Sequence, residues 1–289
     1  MTSKIISIVN RKGGVGKTTI AIALANTLVS EYEANVALLD LDPQGSASHA
    51  LLGTDEFANI TFKNQNLFGF LDARVKGKEF SRDAYVQKFR HNLLERAHVE
   101  LALIANSDRF WDFEEQQWRS DNGIKFGRAL REMIAFLKKN FDYVIADCPP
   151  GQSRAVLTVL KKSDLILCPI TPDPLALWGK DVLKEYLERH ARDRRVRFVV
   201  NRGTLKGKVA TKSLQSLIGD PDMLKLEKPD GGWADQYGFA ALSDRVQIMR
   251  PLPLDMTKPT TLDKIYGPDL SKDLRNITRC VRRELEQDV

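Results

Sequence analysis

The chain has 289 residues, 43% of them hydrophobic, with 44 Lys and Arg against 38 Asp and Glu and a formal net charge of +6. That length suits one large α/β domain with insertions, and no run approaches the roughly 18–20 consecutive apolar residues that span a bilayer. Cys148, Cys168 and Cys280 are scattered, without C-x-x-C spacing or clustered histidines, which argues against a disulfide framework, a zinc site or an iron–sulfur centre and for free, mostly buried thiols in a cytosolic protein. The first apolar run begins at Ile5, so neither a signal peptide nor a separate DNA-reading domain before Lys4 is expected.

The first predicted strand, Ile5 to Val9, runs into Asn-Arg-Lys-Gly-Gly-Val-Gly-Lys-Thr-Thr at 10–19, and an alanine-rich helical stretch follows over Ile20 to Leu28. Strand, glycine-rich loop and helix in that order make a phosphate-binding loop. Gly13, Gly14 and Gly16 carry no Cβ, so backbone N–H groups across Gly13, Gly14, Val15 and Gly16 can converge on phosphate oxygens. The helix start at Lys17, Thr18 and Thr19 adds the positive end of its dipole. Lys17 can reach the β- and γ-phosphates, and the Thr18 hydroxyl suits a Mg²⁺ ligand position.

A second predicted strand, Val36 to Leu39, leads into Asp-Leu-Asp-Pro-Gln-Gly at 40–45, where Asp40 and Asp42 alternate and point in different directions. Residues 53–100 are polar, with patchy helical signal around Phe68 to Leu71 and Tyr85 to Leu94. Leu101 to Ile104 predicts a strand, and Phe126, Leu130, Met133, Ile134 and Leu137 mark one apolar helix face. Tyr143 to Ala146 is an apolar strand ending in Asp147, an arrangement that can hold Mg²⁺ through its water shell. Pro149, Pro150 and Gly151 then turn the chain sharply away.

A strand over Leu165 to Ile170 precedes a helix whose apolar face is read as Leu175, Trp178, Val182, Leu183, Tyr186 and Leu187. Phe198 to Val200 is the last predicted strand and ends at Asn201, whose amide offers a donor and an acceptor. Residues 219–238 are turn-rich and read as an elaborated loop. Strand–helix alternation of this kind predicts an α/β fold: a mostly parallel twisted sheet flanked by helices, with its ligand site at the carboxyl ends of the strands. One domain over 1–289 is expected, with elaborated segments near 53–100 and 219–238.

Positive charge is uneven. Between Arg189 and Lys212 stand nine Lys and Arg residues against one acid, Asp193, which suggests a polyanion partner. Near the carboxyl terminus Leu270, Leu274, Ile277, Val281 and Leu285 recur at helical spacing as a docking face, while Arg275, Arg279, Arg282 and Arg283 line a different face.

The loop at 10–19 departs from the usual pattern, since Arg11 stands where a glycine is expected and Lys12 precedes the paired glycines. Lys-Gly-Gly-x-Gly-Lys-Thr-Thr resembles the deviant Walker A of the ParA/MinD family of partitioning and positioning ATPases, closest to the DNA-partition branch. The likeness is strongest over 3–50 and 141–202, with weaker echoes at Leu103 to Asn106 and Asp244 to Val246. It does not reach 219–238, and Arg250-Pro251 departs from the family pattern.

The resemblance implies a slow, partner-stimulated ATPase that binds ATP and Mg²⁺ and forms an ATP-dependent sandwich homodimer. It implies that Lys12 crosses to the partner's nucleotide, that Asp42 orients the attacking water, that Asp40 sits near the Mg²⁺ shell beside Thr18 and Asp147, and that Pro149 to Gly151 begins a second switch. Asn201 would contact adenine, although strand-end asparagines are also common in turns. The dimer would coat double-stranded DNA without sequence preference, through Arg202, Lys206, Lys208 and Lys212 and through Arg275, Arg279, Arg282 and Arg283. A ParB-like or adaptor protein would activate it in the cytoplasm, at the nucleoid, to move a plasmid, chromosome or protein assembly.

Two other readings share the loop. One is a scaffold that binds ATP with little hydrolysis. The other is a MinD-like membrane-associated regulator, disfavoured by the terminal Arg-Arg-Glu-Leu-Glu-Gln-Asp-Val, which lacks a bulky apolar membrane face.

Overall fold

All six predicted strands form, because each is a short apolar run that the sheet buries on both faces. The computed structural model describes residues 2–90, 99–119, 122–151, 153–202, 208–226, 242 and 262–287. In chain order its elements begin β1 (Lys4–Ile8), α1 (Lys17–Tyr32), β2 (Val36–Asp40), α2 (Ser46–Phe62) and α3 (Leu67–Val75). A short 3₁₀ turn (Arg82–Tyr85) leads to β3 (Gln87–Arg90), β4 (Glu100–Ile104), α4 (Arg109–Arg119) and α5 (Gly123–Asn140). β5 (Tyr143–Asp147), α6 (Arg154–Leu160), β6 (Leu165–Ile170), α7 (Pro174–His190), β7 (Arg195–Val200) and α8 (Lys208–Gln215) follow. The last are α9 (Leu262–Tyr266) and α10 (Pro268–Glu286).

The strands form one sheet in the order β3-β4-β2-β5-β1-β6-β7, parallel except for β3, which runs antiparallel to β4. Strand residues alternate between two cores. Ile6, Ile8 and Leu38 face α1 and α10, while Ile5, Ala37 and Leu39 face the side covered by α3 to α8. All five apolar positions predicted for α10 are buried in the first of these, which accounts for that helix's place against α1.

Two readings are corrected. The helical signal at Tyr85 to Leu94 gives way to the 3₁₀ turn and the edge strand β3, because β4 offers an unpaired edge that Gln87–Arg90 fills in register. Residues 91–98 lie outside the described residues. On α7 the buried positions are Ala176, Lys180, Leu183 and Leu187, whereas Leu175 and Trp178 are 75% and 71% exposed. Burial follows the i, i+4, i+7, i+11 line of Ala176, Lys180, Leu183 and Leu187, and Leu175 and Trp178 lie off that line.

The three thiols are free and buried, as expected. Residues 227–241, most of the turn-rich segment, and the stretch holding Asp244 to Val246 and Arg250-Pro251 lie outside the described residues. Among the described residues no helix is long and apolar enough to cross a membrane.

Candidate nucleotide-binding site

The parallel order brings the carboxyl ends of β1, β2 and β5 side by side, and their three following loops share one edge. Register pairs Ile8 with Asp147 and Asp147 with Asp40, so the two aspartates stand on neighbouring strands. The first loop is held open by its neighbours. Asn10 donates from Nδ2 to the Pro169 carbonyl (2.7 Å) and accepts from the Lys12 N–H (2.9 Å). The loop ends at Gly16, left-handed at φ 92°, which gives α1 no side-chain cap. The first intrahelical bond is donated by Ile20, so the N–H groups of Lys17, Thr18 and Thr19 face the loop for an anion to accept.

Gly16 is required by more than its φ. A Cβ there would lie 2.2 Å from Nδ2 of Asn201, and that same amide donates to the Val15 carbonyl (2.8 Å). Asn201 also accepts from the Arg202 N–H (2.9 Å). Both ends of its amide are therefore spent partly on backbone, and it braces the loop from β7. Gly16→Ala should lose roughly 1–3 kcal/mol of stability, from the strained φ and the displaced amide together, and should weaken nucleotide binding. Adding Asn201→Ala should recover part of the stability. Urea unfolding that shows no loss in the single variant would refute this account.

Lys17 is nearly buried, and its Nζ donates to the Lys12 carbonyl (3.2 Å). Burial lowers the pKa of its ammonium, against the opposing pull of Asp147 and Asp42. Asp40 is wholly buried and fully engaged, accepting from Ser48 N–H (2.9 Å), Ser48 Oγ (2.7 Å) and the Asp42 N–H (3.0 Å). It thereby anchors both the turn and the start of α2. Asp42 accepts from the Gln44 N–H through Oδ1 (2.9 Å), and its carbonyl accepts from Gly45 (2.8 Å).

Asp147 is different. It is also wholly buried, yet neither carboxylate oxygen has a hydrogen-bond partner of good geometry, although the Thr18 hydroxyl stands near enough to lower its pKa. Burial, with Asp40 as the second cause, pushes its carboxyl well above the usual range. An unpaired buried carboxylate is costly, and a hard cation is the natural group to offset it. The residues fit Mg²⁺, which commonly takes one or two carboxylates plus phosphate and water: Asp147 offers a buried carboxylate with unpartnered oxygens, and Thr18 a hydroxyl beside it.

Burial lifts Asp40 to about 6, against the hydrogen bonds from Ser48 and Asp42. Without nucleotide or metal, its protonation therefore stabilises the fold at low pH, and that contribution is lost as the pH rises through about 6. Asp40→Asn should flatten the dependence of thermal stability on pH between about 4 and 6. Parallel curves for the two proteins would contradict it.

Lys12 reaches out of the loop to Asp173, 3.1 Å from Nζ to Oδ2. Asp173 caps α7 by accepting from the Ala176 N–H (2.9 Å) and accepts from Thr171 Oγ1 (2.6 Å). Burial pushes its carboxyl up, but these bonds and Lys12 hold it below its ordinary value. Sequence reasoning missed Asp173 and Asn10. Asp followed by Pro174 is an N-cap signature that could have flagged the first, while its tie to Lys12 has no local signal.

The proposed DNA residues do not share one environment. Arg202, Lys208 and Lys212 are exposed beside β7 and α8, and Lys206 lies outside the described residues. Arg195 and Arg197, from the same basic cluster, turn towards Glu284. On α10, Arg275 pairs with Glu31 and Asp263, Arg282 lies 4.1 Å over the Tyr32 ring, and Arg283 donates to the Lys225 carbonyl (3.0 Å). Arg279 is exposed.

Fold and loop together define a P-loop nucleotide-binding α/β protein of the deviant Walker A type. The AAA domain family model matches residues 3–198. The chromosome partitioning protein ParA of Myxococcus xanthus is 31% identical over 186 residues, 64% of this chain and 58% of that protein. An uncharacterised protein of Methanocaldococcus jannaschii is 27% identical over 74% of this chain and 78% of its own length. A putative plasmid partition protein of Borrelia burgdorferi, solved with AMPPNP bound, superposes with a TM-score of 0.70 at 22% identity, covering 98% of this chain and all of that one. The chain belongs to the AAA-domain family and, within it, to the ParA/MinD group of P-loop NTPases.

Proposed function

We propose that this chain is an ATP-driven partition or positioning ATPase, a single unit over 1–289 that binds ATP and Mg²⁺, dimerises, and releases phosphate slowly until a ParB-like or adaptor protein stimulates it. The observation that carries this reading is Asp147, buried with unpartnered oxygens, beside Lys17 and the open first turn of α1. Mg²⁺, held there by Thr18 and Asp147 with Asp40 behind, would neutralise charge between the β- and γ-phosphates. The loop N–H groups bind the phosphates, Lys17 offsets their charge, Asp42 orients the attacking water, and Asn201 supports the adenine side.

One observation supports dimerisation, and one variant tests it. A Cβ on Gly13 would meet nothing within 4 Å in the protomer, so Gly13→Val should fold and bind ATP yet stay monomeric. Leu175 and Trp178 stand exposed in the first turn of α7, next to the Asp173 that holds Lys12. In the dimer Lys12 would leave Asp173 for the partner's nucleotide, adding positive charge from the far side. Exposed Arg202, Lys208, Lys212 and Arg279 suit duplex phosphates without base readout, and Lys206, outside the described residues, is assigned to the same role from the sequence. Arg275, Arg282 and Arg283 could join only by giving up their present contacts. The protein would then work in the cytoplasm, on the nucleoid.

The test is phosphate release with ATP and Mg²⁺, with and without DNA, together with sedimentation of a hydrolysis-deficient variant. Slow release, doubled mass with ATP, and DNA binding that weakens with salt at a slope near −0.9 per phosphate neutralised are expected. No release under any condition would leave a scaffold, and a mass that stays monomeric with ATP and Mg²⁺ would overturn the dimer.

A further inference from the structure

Two loops leave neighbouring strands at the nucleotide edge, residues 41–45 after β2 and residues 148–153 after β5. The first carries Asp42, and the second follows Asp147. The second has little backbone of its own to hold it. Pro149 and Pro150 lack an N–H, so Gly151 is the one backbone donor over 149–151. Its course is therefore set from its ends. At the near end Cys148 donates to the Ile8 carbonyl (3.1 Å), and at the far end α4 takes hold.

That hold has two points, one turn apart on α4. Glu114, a buried carboxylate outside the phosphate site, accepts from the Ala155 N–H (2.7 Å) in the first turn of α6. Burial pushes its carboxyl up, opposed by the Ala155 N–H, the Ser153 hydroxyl and Arg154. Trp118 lies under the Arg154 guanidinium at 3.8 Å. A buried carboxylate is costly unless it is matched, so Glu114 holds Ser153, Arg154 and Ala155 together.

The other end of the same segment is tied to the first loop. Asn106, three residues before α4 begins, donates its N–H to Ser48 Oγ (2.9 Å), which donates in turn to Asp40 Oδ2 (2.7 Å). Gly45 closes the Asp42 turn against it, since a Cβ there would lie 3.1 Å from the Asn106 carbonyl oxygen. Between the two ties, α4 is anchored by Phe110 and Phe113 in the core.

We propose that the run from Asn106 to Trp118 is a brace that holds the two loops in one relation, with Glu114 as a positioning residue for hydrolysis. Glu114 acts through the start of α6 on the chain that leaves Asp147, while Asn106 and Ser48 hold the Asp42 turn. A simple cap of α6 would loosen only 153–156 when removed. A brace also loosens 40–48, which Glu114 does not touch. The effect on hydrolysis rests on the ATPase reading, and the effect on exchange does not.

The experiment measures hydrogen exchange and ATP hydrolysis in the full chain for Glu114→Ala and Glu114→Gln. Asn66→Ala, which removes the α3 cap bond from the Gly69 N–H (2.9 Å), controls for a stability loss elsewhere. Glu114→Ala should raise exchange at least about fivefold over both 153–156 and 40–48 while α10 stays unchanged. Its kcat should fall about tenfold, with KM for ATP within about twofold. Glu114→Gln keeps an acceptor for Ala155 and should recover most of both effects, and Asn66→Ala should produce neither. Exchange that rises over 153–156 alone, or turnover that falls no further than in Asn66→Ala, would overturn the proposal. A wild type without turnover would sink the ATPase reading and leave exchange to decide the brace. If Glu114→Ala does not fold, Ser48→Ala breaks the same chain at its other end, and exchange should then rise over 153–156.

Discussion

Lys17→Ala is expected to weaken ATP binding by on the order of a hundredfold and to leave no measurable turnover. The ammonium is nearly buried and poised between the Lys12 carbonyl and the carboxylates of Asp147 and Asp42. Removing it deletes the counter-charge for the incoming phosphates and leaves two acids facing them. In water such a loss would be screened. At a buried loop it is not. Calorimetric titration of the nucleotide into the variant, with thermal unfolding as a check on folding, measures the effect. Affinity within a few-fold of the wild type would show that the phosphates lie elsewhere.

Asp42→Ala is the second large effect and has the opposite signature. Turnover should fall by on the order of a hundredfold or more, while ATP affinity stays within a few-fold. Asp42 contributes one acceptor to its own turn, through Gln44, so its loss should cost the fold about 1 kcal/mol. Asp40 and Ser48 still hold the start of α2. Single-turnover phosphate release separates chemistry from binding. Wild-type turnover in Asp42→Ala would remove it from the catalytic step, and a parallel collapse of affinity would make it a binding residue instead.

The elements legible in the sequence were those with a strong local pattern. Runs such as Ile5 to Val9 and Leu165 to Ile170 become strands because both faces of a parallel sheet are apolar. The heptad-like spacing in α10 predicted its buried face position by position. β3 was not legible, since Gln-Lys-Phe-Arg has a single apolar residue and becomes a strand only through the free edge of β4. The first turn of α7 misled for a related reason. Leu175 and Trp178 continue the apolar stripe on paper, but only the line through Ala176, Lys180, Leu183 and Leu187 is buried, and an apolar residue off that line simply stays exposed.

The same division runs through the site. The phosphate loop could be read from ten consecutive residues, because its chemistry is local: backbone N–H groups freed by glycines and the first turn of the helix that follows. Asp40 and Asp147 could be named from their strand ends, but their adjacency depends on β2 and β5 being neighbours in the sheet. The Lys12–Asp173 pair joins residues 161 apart, and the Asn201–Val15 bond residues 186 apart. Nothing in either neighbourhood encodes such a partner. Charge shows the same limit: four arginines on α10 look alike in the chain, yet three are held by Glu31 and Asp263, Tyr32 and the Lys225 carbonyl. Local backbone chemistry is written residue by residue, whereas the partner of a long side chain is chosen by strand order and helix packing, which exist only once the sheet has formed.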